Sequence, residues 1–146
     1  MNFVVLTIFP ELMDSFWAHG IVRRAVASGS ISAASMDIRD FSPGRHKEVD
    51  DRPYGGGSGM VMSPEPLTAA IREARRRLPR AQTVLFSPRG HSFSQKTAQH
   101  LADKEEDLIL VCGRYEGVDE RVCAEEIDLE LSIGDFVLTG GEVAAM

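Results

Sequence analysis

The sequence has no long hydrophobic segment and few cysteines. No apolar run approaches the roughly 18 residues that a membrane-spanning helix needs, which argues against an integral membrane protein. The first ten residues lack both a basic region and a small-residue cleavage site, so they predict a strand, not a signal peptide, and we expect a cytoplasmic location. Cys112 and Cys123 are the only two cysteines, and their spacing fits reduced thiols better than a disulfide or half of a zinc site.

Several common catalytic motifs are also missing. No stretch matches G-x-x-x-x-G-K-[ST], and no G-x-G-x-x-G follows a strand, which excludes a P-loop and a Rossmann fingerprint. Ser58 lies between two glycines but lacks the G-x-S-x-G frame of a nucleophile elbow. The 4 histidines show no metal-ligand spacing, so the sequence predicts no metal centre.

What is present is one domain of 146 residues with an uneven charge distribution. Residues 101–146 contain 13 acidic and 3 basic residues, which leaves 13 basic and 9 acidic residues in 1–100 of the totals of 16 and 22. Binding to nucleic acid depends on where cations cluster more than on the net charge of −6. We therefore expect the two parts of the chain to face different partners.

Strand-like apolar runs alternate with amphipathic helical stretches, which predicts an α/β fold with a mostly parallel sheet and helices on both faces. A long glycine-rich loop is predicted over residues 40–62. The predicted strands are 3–8, 31–39, 83–86 and 108–112; the predicted helices run from Pro10 to a C-terminal Gly29, from the N-cap Ser63 through Leu78, and over 95–102.

Three glycine-bearing turns follow strand ends: Ser87–Gly90, Gly113–Gly117 and Ser132–Gly141. Ligands in open α/β sheets bind beyond the carboxyl ends of the strands, where glycines allow close backbone approach. The turns therefore predict a cofactor crevice, although each glycine by itself could simply close a tight turn.

Three longer motifs stand out in the sequence: DDRPYGGGSGM at Asp50–Met60, LVCGRYEGVDER at Leu110–Arg121 and SIGDFVLTGGE at Ser132–Glu142. Together they closely resemble the TrmD family of bacterial tRNA (guanine-N1)-methyltransferases. Ile8–Glu11 agrees as well, and the resemblance extends over essentially all 146 residues.

The resemblance implies a SPOUT methyltransferase fold, with a deep trefoil knot at the C-terminal edge of the sheet and S-adenosylmethionine bound in the knot loops. Residues 1–146 would form the S-adenosylmethionine-binding domain. The positions that match the family's cofactor site are Leu85, Phe86, Ser87, Pro88, Gly113, Tyr115, Glu116, Gly117, Ile133, Gly134, Asp135, Phe136, Val137, Leu138, Gly140 and Gly141.

The resemblance also implies a reaction, the transfer of a methyl group to N1 of guanosine 37 of a tRNA that has guanosine at position 36. Family members continue past the position of Met146 into a C-terminal tRNA-binding domain. The proposed general base of the family lies in that domain, beyond Met146, so it cannot be named here and we expect the isolated chain to be poorly active.

Glu116 is the candidate within the chain for contact with the guanine or with a magnesium ion, as the resemblance implies. The plain alternative for Glu116 is a solvated turn carboxylate.

For RNA, the resemblance and the local cation density favour Arg39, Arg45, His46, Lys47 and Arg52 in the long loop. The cations at Arg75–Arg80 are equally well explained by the dipole at the end of their helix.

The resemblance implies a homodimer as well, with either an interface or an intramolecular core around Phe9, Phe16 and Trp17. Two alternative functions remain at this point, a non-catalytic module that binds S-adenosylmethionine or RNA and a ribose 2′-O-methyltransferase. The Asp-Arg-Pro-Tyr-Gly-Gly-Gly motif disfavours the second.

Overall fold

The structure is a computed structural model that describes residues 1–53 and 55–146, so Tyr54 of the Asp50–Met60 motif lies outside the described residues. Five strands form a parallel sheet in the order β2-β1-β6-β5-β7, and β3 and β4 form a small antiparallel pair. The predicted α/β class is therefore confirmed. The strands are β1 (Asn2–Thr7), β2 (Ser32–Asp37), β3 (Asp50–Asp51), β4 (Val61–Met62), β5 (Gln82–Ser92), β6 (Leu108–Cys112) and β7 (Leu129–Ser132).

Helices cover both faces of the sheet, as predicted. Alternate residues of β1 belong to two hydrophobic clusters, because side chains along a strand point to opposite faces. Leu6 shares its cluster with residues of the helices α3 and α5, and Val5 shares the other cluster with residues of α1 and α4. No helix in the described part of the chain is long and apolar enough to cross a membrane. The helices are α1 (Pro10–Trp17), α2 (Gly20–Ala27), α3 (Pro64–Arg77), α4 (Gln95–Asp103), α5 (Glu120–Glu126) and α6 (Glu142–Ala145), with a 3-10 turn at Ile38–Phe41.

The prediction of one helix from Pro10 to Gly29 is wrong, since the helix is interrupted between α1 and α2. His19 is extended and Gly20 has a φ of +60°, a left-handed conformation that glycine adopts without strain. The helix α2 has no fully buried residue, so core packing does not force it to continue α1. Gly29, with a φ of +73°, does follow the end of α2 as predicted.

The strand β5 is longer than predicted, and the predicted turn at Ser87–Gly90 is wrong. The strand continues to Ser92, but Phe86 and His91 both pair with Leu131 of β7, so the residues between them bulge out of the ladder. Gly90 allows this close approach, because a Cβ atom there would lie 2.6 Å from the backbone nitrogen of Leu131. A bulge, and not a turn, thus follows Phe86.

The predicted loop at 40–62 contains the β3–β4 pair and is fixed to the turn after β6. The backbone amide of Met62 donates to the Gly117 carbonyl at 2.9 Å, and the Glu116 amide donates to the Met60 carbonyl at 2.9 Å. Met62 is fully buried. These contacts hold the C-terminal end of the loop against residues 113–117.

Candidate functional site

A cavity of about 430 Å³ lies beside the bulge of β5 and at the carboxyl ends of β6 and β7. Its volume is in the range of pockets that bind small organic ligands. All three segments that the sequence predicted to meet contribute to its wall, because the bulge of β5 lies next to the edge of the sheet where the parallel strands β6 and β7 end. The structure brings together every predicted cofactor residue except Asp135: Leu85, Phe86, Ser87, Pro88, Gly113, Tyr115, Glu116, Gly117, Ile133, Gly134, Phe136, Val137, Leu138, Gly140 and Gly141. Binding of a cofactor by these residues stays a prediction.

Asp135 does not line the cavity, although both of its chain neighbours do. Other lining residues were not predicted. Ser132 and Thr139 directly flank predicted positions and Leu131 lies one residue further, so a wider sequence window would have included them. Cys123 belongs to α5 and reaches the cavity only through packing, which no local signal indicates.

The most connected side chain at the cavity is Arg114, which the sequence analysis did not select. Its guanidinium forms an ion pair with Glu142 at 3.0 Å between Nη2 and Oε2, and its Nη1 donates to the Thr139 carbonyl at 3.1 Å. The guanidinium carbon lies 4.6 Å from the centre of the Phe9 ring. Glu142 is 1% exposed and accepts a hydrogen bond of 2.6 Å from the Thr7 hydroxyl. A buried carboxylate thus connects the end of β1, the turn after β6 and the start of α6.

The glycines before Glu142 allow the last loop to return to β6. The Gly141 amide donates to the Gly113 carbonyl at 2.9 Å, and a Cβ atom at Gly141 would lie 2.7 Å from the Cα atom of Cys112. A Cβ atom at Gly140 would collide with Arg114 and Glu142. Residues 133–141 therefore close over the end of β6 only because these positions have no side chain.

Met146, beyond which the resemblance places the general base, follows the last turn of α6. Its backbone amide donates to the Glu142 carbonyl at 3.0 Å, its side chain is exposed, and it does not line the cavity. Met146 itself is therefore not a residue of the candidate site. Ala144, two residues earlier in α6, does line the cavity. The general base beyond Met146 stays a prediction.

Glu116 and Tyr115 lie where the long loop meets the cavity. Tyr115 is 46% exposed and has a φ of +60°. Partial burial, with the nearby negative charge of Asp50, raises the pKa of the Tyr115 hydroxyl, so this side chain is neutral at physiological pH. Glu116 is exposed, and its Cγ atom would lie 2.5 Å from a Cβ atom at Gly59 of the loop.

Arg89 is a second cationic residue of the cavity wall. It pairs with Glu120 at 2.8 Å and with Glu130 at 3.0 Å, and hydrogen bonds to Glu130 and Glu120 raise its pKa. Burial raises the pKa of both free thiols, Cys112 and Cys123, so neither is an activated nucleophile.

The predicted RNA-binding residues differ in whether their side chains already form an ion pair with an acid of the chain. Arg39 pairs with Asp37 at 2.9 Å, and Lys47 pairs with Asp40 at 2.6 Å. Arg45, His46 and Arg52 are exposed, and they form no ion pair within the described part of the chain. The Arg52 backbone amide donates a hydrogen bond of 2.7 Å to the Asp51 carboxylate.

The arginines at the end of α3 mostly form ion pairs with acidic side chains, which favours a structural role over contact with RNA. Arg75 pairs with the buried Glu126 at 2.9 Å. Arg76 and Arg77 both pair with Glu73 at 2.8 Å, and these hydrogen bonds lower the pKa of Glu73 to about 2.

The aromatic residues considered for an interface pack within the chain. Phe9 packs against one hydrophobic cluster, and Phe16 and Trp17 pack against the other with their ring centroids 5.1 Å apart. The structure therefore supports the intramolecular alternative for these three side chains.

No three His, Cys, Asp or Glu side chains gather into a metal-binding group in residues 1–53 and 55–146. Glu116 therefore belongs to no such group, and a magnesium ion beside it stays a prediction.

Comparisons with known proteins agree along the whole chain. The profile of the family described as tRNA (Guanine-1)-methyltransferase TrmD matches residues 1–146. The chain is 57% identical over its full length to a tRNA (guanine-N(1)-)-methyltransferase of Desulfatibacillum aliphaticivorans, and 54% identical over 97% of its length to one of Myxococcus xanthus. It covers 55% and 57% of those two proteins, so it spans little more than half the length of these curated relatives.

A solved structure gives the same answer for the fold. The crystal structure of the tRNA (m1G37) methyltransferase from Aquifex aeolicus superposes with a TM-score of 0.90 at 41% identity, over 99% of this chain and 65% of that one. With the family profile matching every residue and the strand-end cavity formed by the shared motifs, the chain belongs to the tRNA (guanine-1)-methyltransferase TrmD family.

Proposed function

We propose that this chain is the cofactor-binding part of a tRNA methyltransferase that transfers a methyl group from S-adenosylmethionine to N1 of guanosine 37, preceded by guanosine 36. The observation that carries the proposal is the cavity between the bulge of β5 and the ends of β6 and β7, which gathers fifteen of the sixteen residues that match the family's cofactor positions, all but Asp135. The names of the relatives support the tRNA substrate and the modified base.

The residues of the cavity fit S-adenosylmethionine chemically. Leu85, Phe86 and Leu138 provide apolar surface for an adenine ring, and the glycine-rich backbone at 113–117 and 133–141 provides amides and carbonyls close to the ligand. Both arginines of the wall are paired with acids, so the cavity does not repel a sulfonium cation.

The bound cofactor supplies a methyl group on a positively charged sulfur, which is a good leaving group. In the transfer, a bond forms between the methyl carbon and guanine N1, the carbon–sulfur bond breaks, and the N1 proton passes to a base, which we assign to the segment that follows Met146 in the relatives. Within this proposal, Glu116 contacts the guanine from the rim, where the absence of a side chain at Gly59 leaves room for the Glu116 side chain and the Met60 carbonyl accepts a hydrogen bond from the Glu116 backbone amide. Neither a magnesium ion nor a general base from this chain enters the proposed step.

We assign tRNA contact to the long loop, because Arg45, His46 and Arg52 offer exposed cations there and the loop is fixed to the turn that contains Glu116. Arg39 and Lys47 also belong to this surface, although each is partly neutralised by its acid.

The proposal includes a homodimer, a cytoplasmic location and the trefoil knot, as the resemblance implies. Exposed apolar side chains near the C-terminus, among them Val137 at 86% and Val143 at 59%, are candidates for burial in the dimer. Light scattering of the purified chain tests the dimer.

Methyl transfer to tRNA transcripts tests the proposed function. The chain, and a form extended past Met146 to the length of its relatives, are incubated with labelled S-adenosylmethionine and transcripts that carry guanosine or adenosine at position 37. We expect the extended form to label only the guanosine transcript, at N1. Binding without transfer by both forms would support the non-catalytic alternative, and a methyl group on a ribose hydroxyl would support the 2′-O-methyltransferase.

A further inference from the structure

Both arginines that line the cavity are neutralised by acids that lie outside the lining. Arg114 is paired with Glu142, and Arg89 is paired with Glu120 and Glu130. The lining also contains one acid, Glu116, which forms no ion pair with the described residues. The cavity therefore has no uncompensated positive charge among the described side chains, and its electrostatic balance depends on acids behind its wall.

The Arg114–Glu142 pair is the more buried of the two arrangements. The side chains are 19% and 2% exposed, whereas the side chain of Arg89 is 54% exposed. Solvent screens charges at a buried site much less than exposed ones. Loss of the Glu142 charge would thus leave Arg114 as a poorly screened cation against the cavity.

The two ligands of a methyl transfer from S-adenosylmethionine differ in charge at one atom. The donor has a sulfonium cation, and the demethylated product S-adenosylhomocysteine has a neutral thioether in its place. An arginine without a partner acid in the wall would repel the sulfonium of the donor. It would not repel the neutral thioether sulfur of the product. The charge balance of the wall can therefore set which of the two binds more tightly.

We propose that Glu142 is a specificity-determining residue that acts through Arg114: by neutralising its guanidinium, it lets the cavity favour the cationic donor over the neutral product. Glu120 and Glu130 contribute in the same way, and more weakly, through Arg89. This inference rests on the proposed function, since it assumes that the cavity binds S-adenosylmethionine.

The test is calorimetric titration of the chain with S-adenosylmethionine and, separately, with S-adenosylhomocysteine at low salt. In Glu142→Gln, which keeps the shape of the side chain, we expect the donor-over-product preference to fall at least about fivefold relative to the unmodified chain. In the charge-balanced double variant Arg114→Gln/Glu142→Gln, the preference returns toward the starting value. This rescue separates a charge effect from loss of packing.

Glu126→Gln is the matched control. Glu126 is also a buried carboxylate with two arginine partners, Arg72 and Arg75, but none of the three lines the cavity. We expect this variant to lower stability and leave the preference unchanged. If Glu142→Gln does not fold, the double variant Glu120→Gln/Glu130→Gln, at two acids more exposed than Glu142, provides the measurement, with a smaller fall in preference that disappears at high salt.

The outcomes separate the two proposals. Equal weakening of donor and product by Glu142→Gln, or an unchanged preference in the variants that fold, would overturn the role of Glu142. Failure of the unmodified chain to bind either ligand would instead count against the proposed function.

Discussion

At the residue scale, glycines of the cavity differ in what an added methyl group would meet. A Cβ atom at Gly113 would lie 3.4 Å from Val118 Cγ2 and 3.8 Å from Leu85 Cδ1, which are ordinary contacts. At Gly141 it would lie 2.7 Å from backbone of Cys112 and 3.0 Å from the Gly113 nitrogen, and backbone cannot move aside cheaply. The fold therefore tolerates a side chain at Gly113, whereas it requires glycine at position 141.

We predict that Gly113→Ala keeps the stability of the chain but weakens binding of S-adenosylmethionine about tenfold, because its methyl group occupies space at the cavity wall. Gly141→Ala should instead lower the free energy of unfolding by about 1–3 kcal/mol through overpacking. Denaturant titration and calorimetry measure the two effects. Unchanged affinity in Gly113→Ala would place the cofactor away from β6.

At the element scale, α5 depends on the residue before it. The Asp119 side chain accepts a hydrogen bond of 2.9 Å from the Arg121 amide and pairs with the Arg121 guanidinium at 2.8 Å. These interactions, with the side-chain bond to Arg121 foremost, lower the Asp119 pKa from its ordinary value of 3.8. Because α5 places Cys123 at the cavity, the capping of α5 also affects the site.

We predict that Asp119→Ala lowers the free energy of unfolding by about 1 kcal/mol at pH 7, which is typical for loss of an N-cap. Since folding lowers the pKa of Asp119, its charge stabilises the fold above the ordinary pKa, and this contribution is lost as the pH falls through the lowered value. Asp119→Asn should retain the N-cap hydrogen bond and remove the pH-dependent contribution of residue 119 to the free energy of unfolding.

Urea titrations between pH 7 and pH 2 measure both effects. Glu125→Gln is the control, because Glu125 is exposed on the same helix and forms no ion pair with the described residues. An Asp119→Asn variant with the same pH dependence as the unmodified chain would contradict the prediction.

At the scale of the whole molecule, the uneven charge distribution is partly resolved by pairing between the two parts of the chain. Arg72 and Arg75 of the basic part pair with Glu126 of the acidic part, and Arg75 also reaches Asp128 at 3.3 Å. The exposed cations of the long loop remain available for a polyanion. The fold thus separates structural arginines on α3 from candidate RNA contacts on the loop.

We predict that Arg52→Ala weakens tRNA binding and reduces the slope of log affinity against log salt by about one unit, as expected for loss of one phosphate contact. Arg76→Ala, which removes an exposed arginine already paired with Glu73, should leave the slope unchanged. Filter binding across a salt series measures the slope. Equal effects of both variants would mean that tRNA contacts α3 as well.

Much of the architecture could be predicted from local patterns. The buried run at 108–112 is a strand at the predicted bounds, because five consecutive apolar residues fit a strand covered on both faces. The gathering of the strand ends followed from the parallel sheet. The bulge in β5 escaped prediction because it depends on packing against the backbone of β7. The break at Gly20 escaped prediction because a glycine within a helical pattern is compatible both with a continuous helix and with a break.

The α/β class, the family motifs and the segments that form the cavity can be read from the sequence alone, because periodicity, glycine turns and motif order are properties of neighbouring residues. Which charges meet depends on the folded arrangement of the strands and helices. Arg114 and Glu142 are 28 residues apart, and Thr7 reaches Glu142 across 135 residues. Such pairs are created by strand order and close backbone packing at Gly140 and Gly141, which bring remote side chains together around a buried carboxylate.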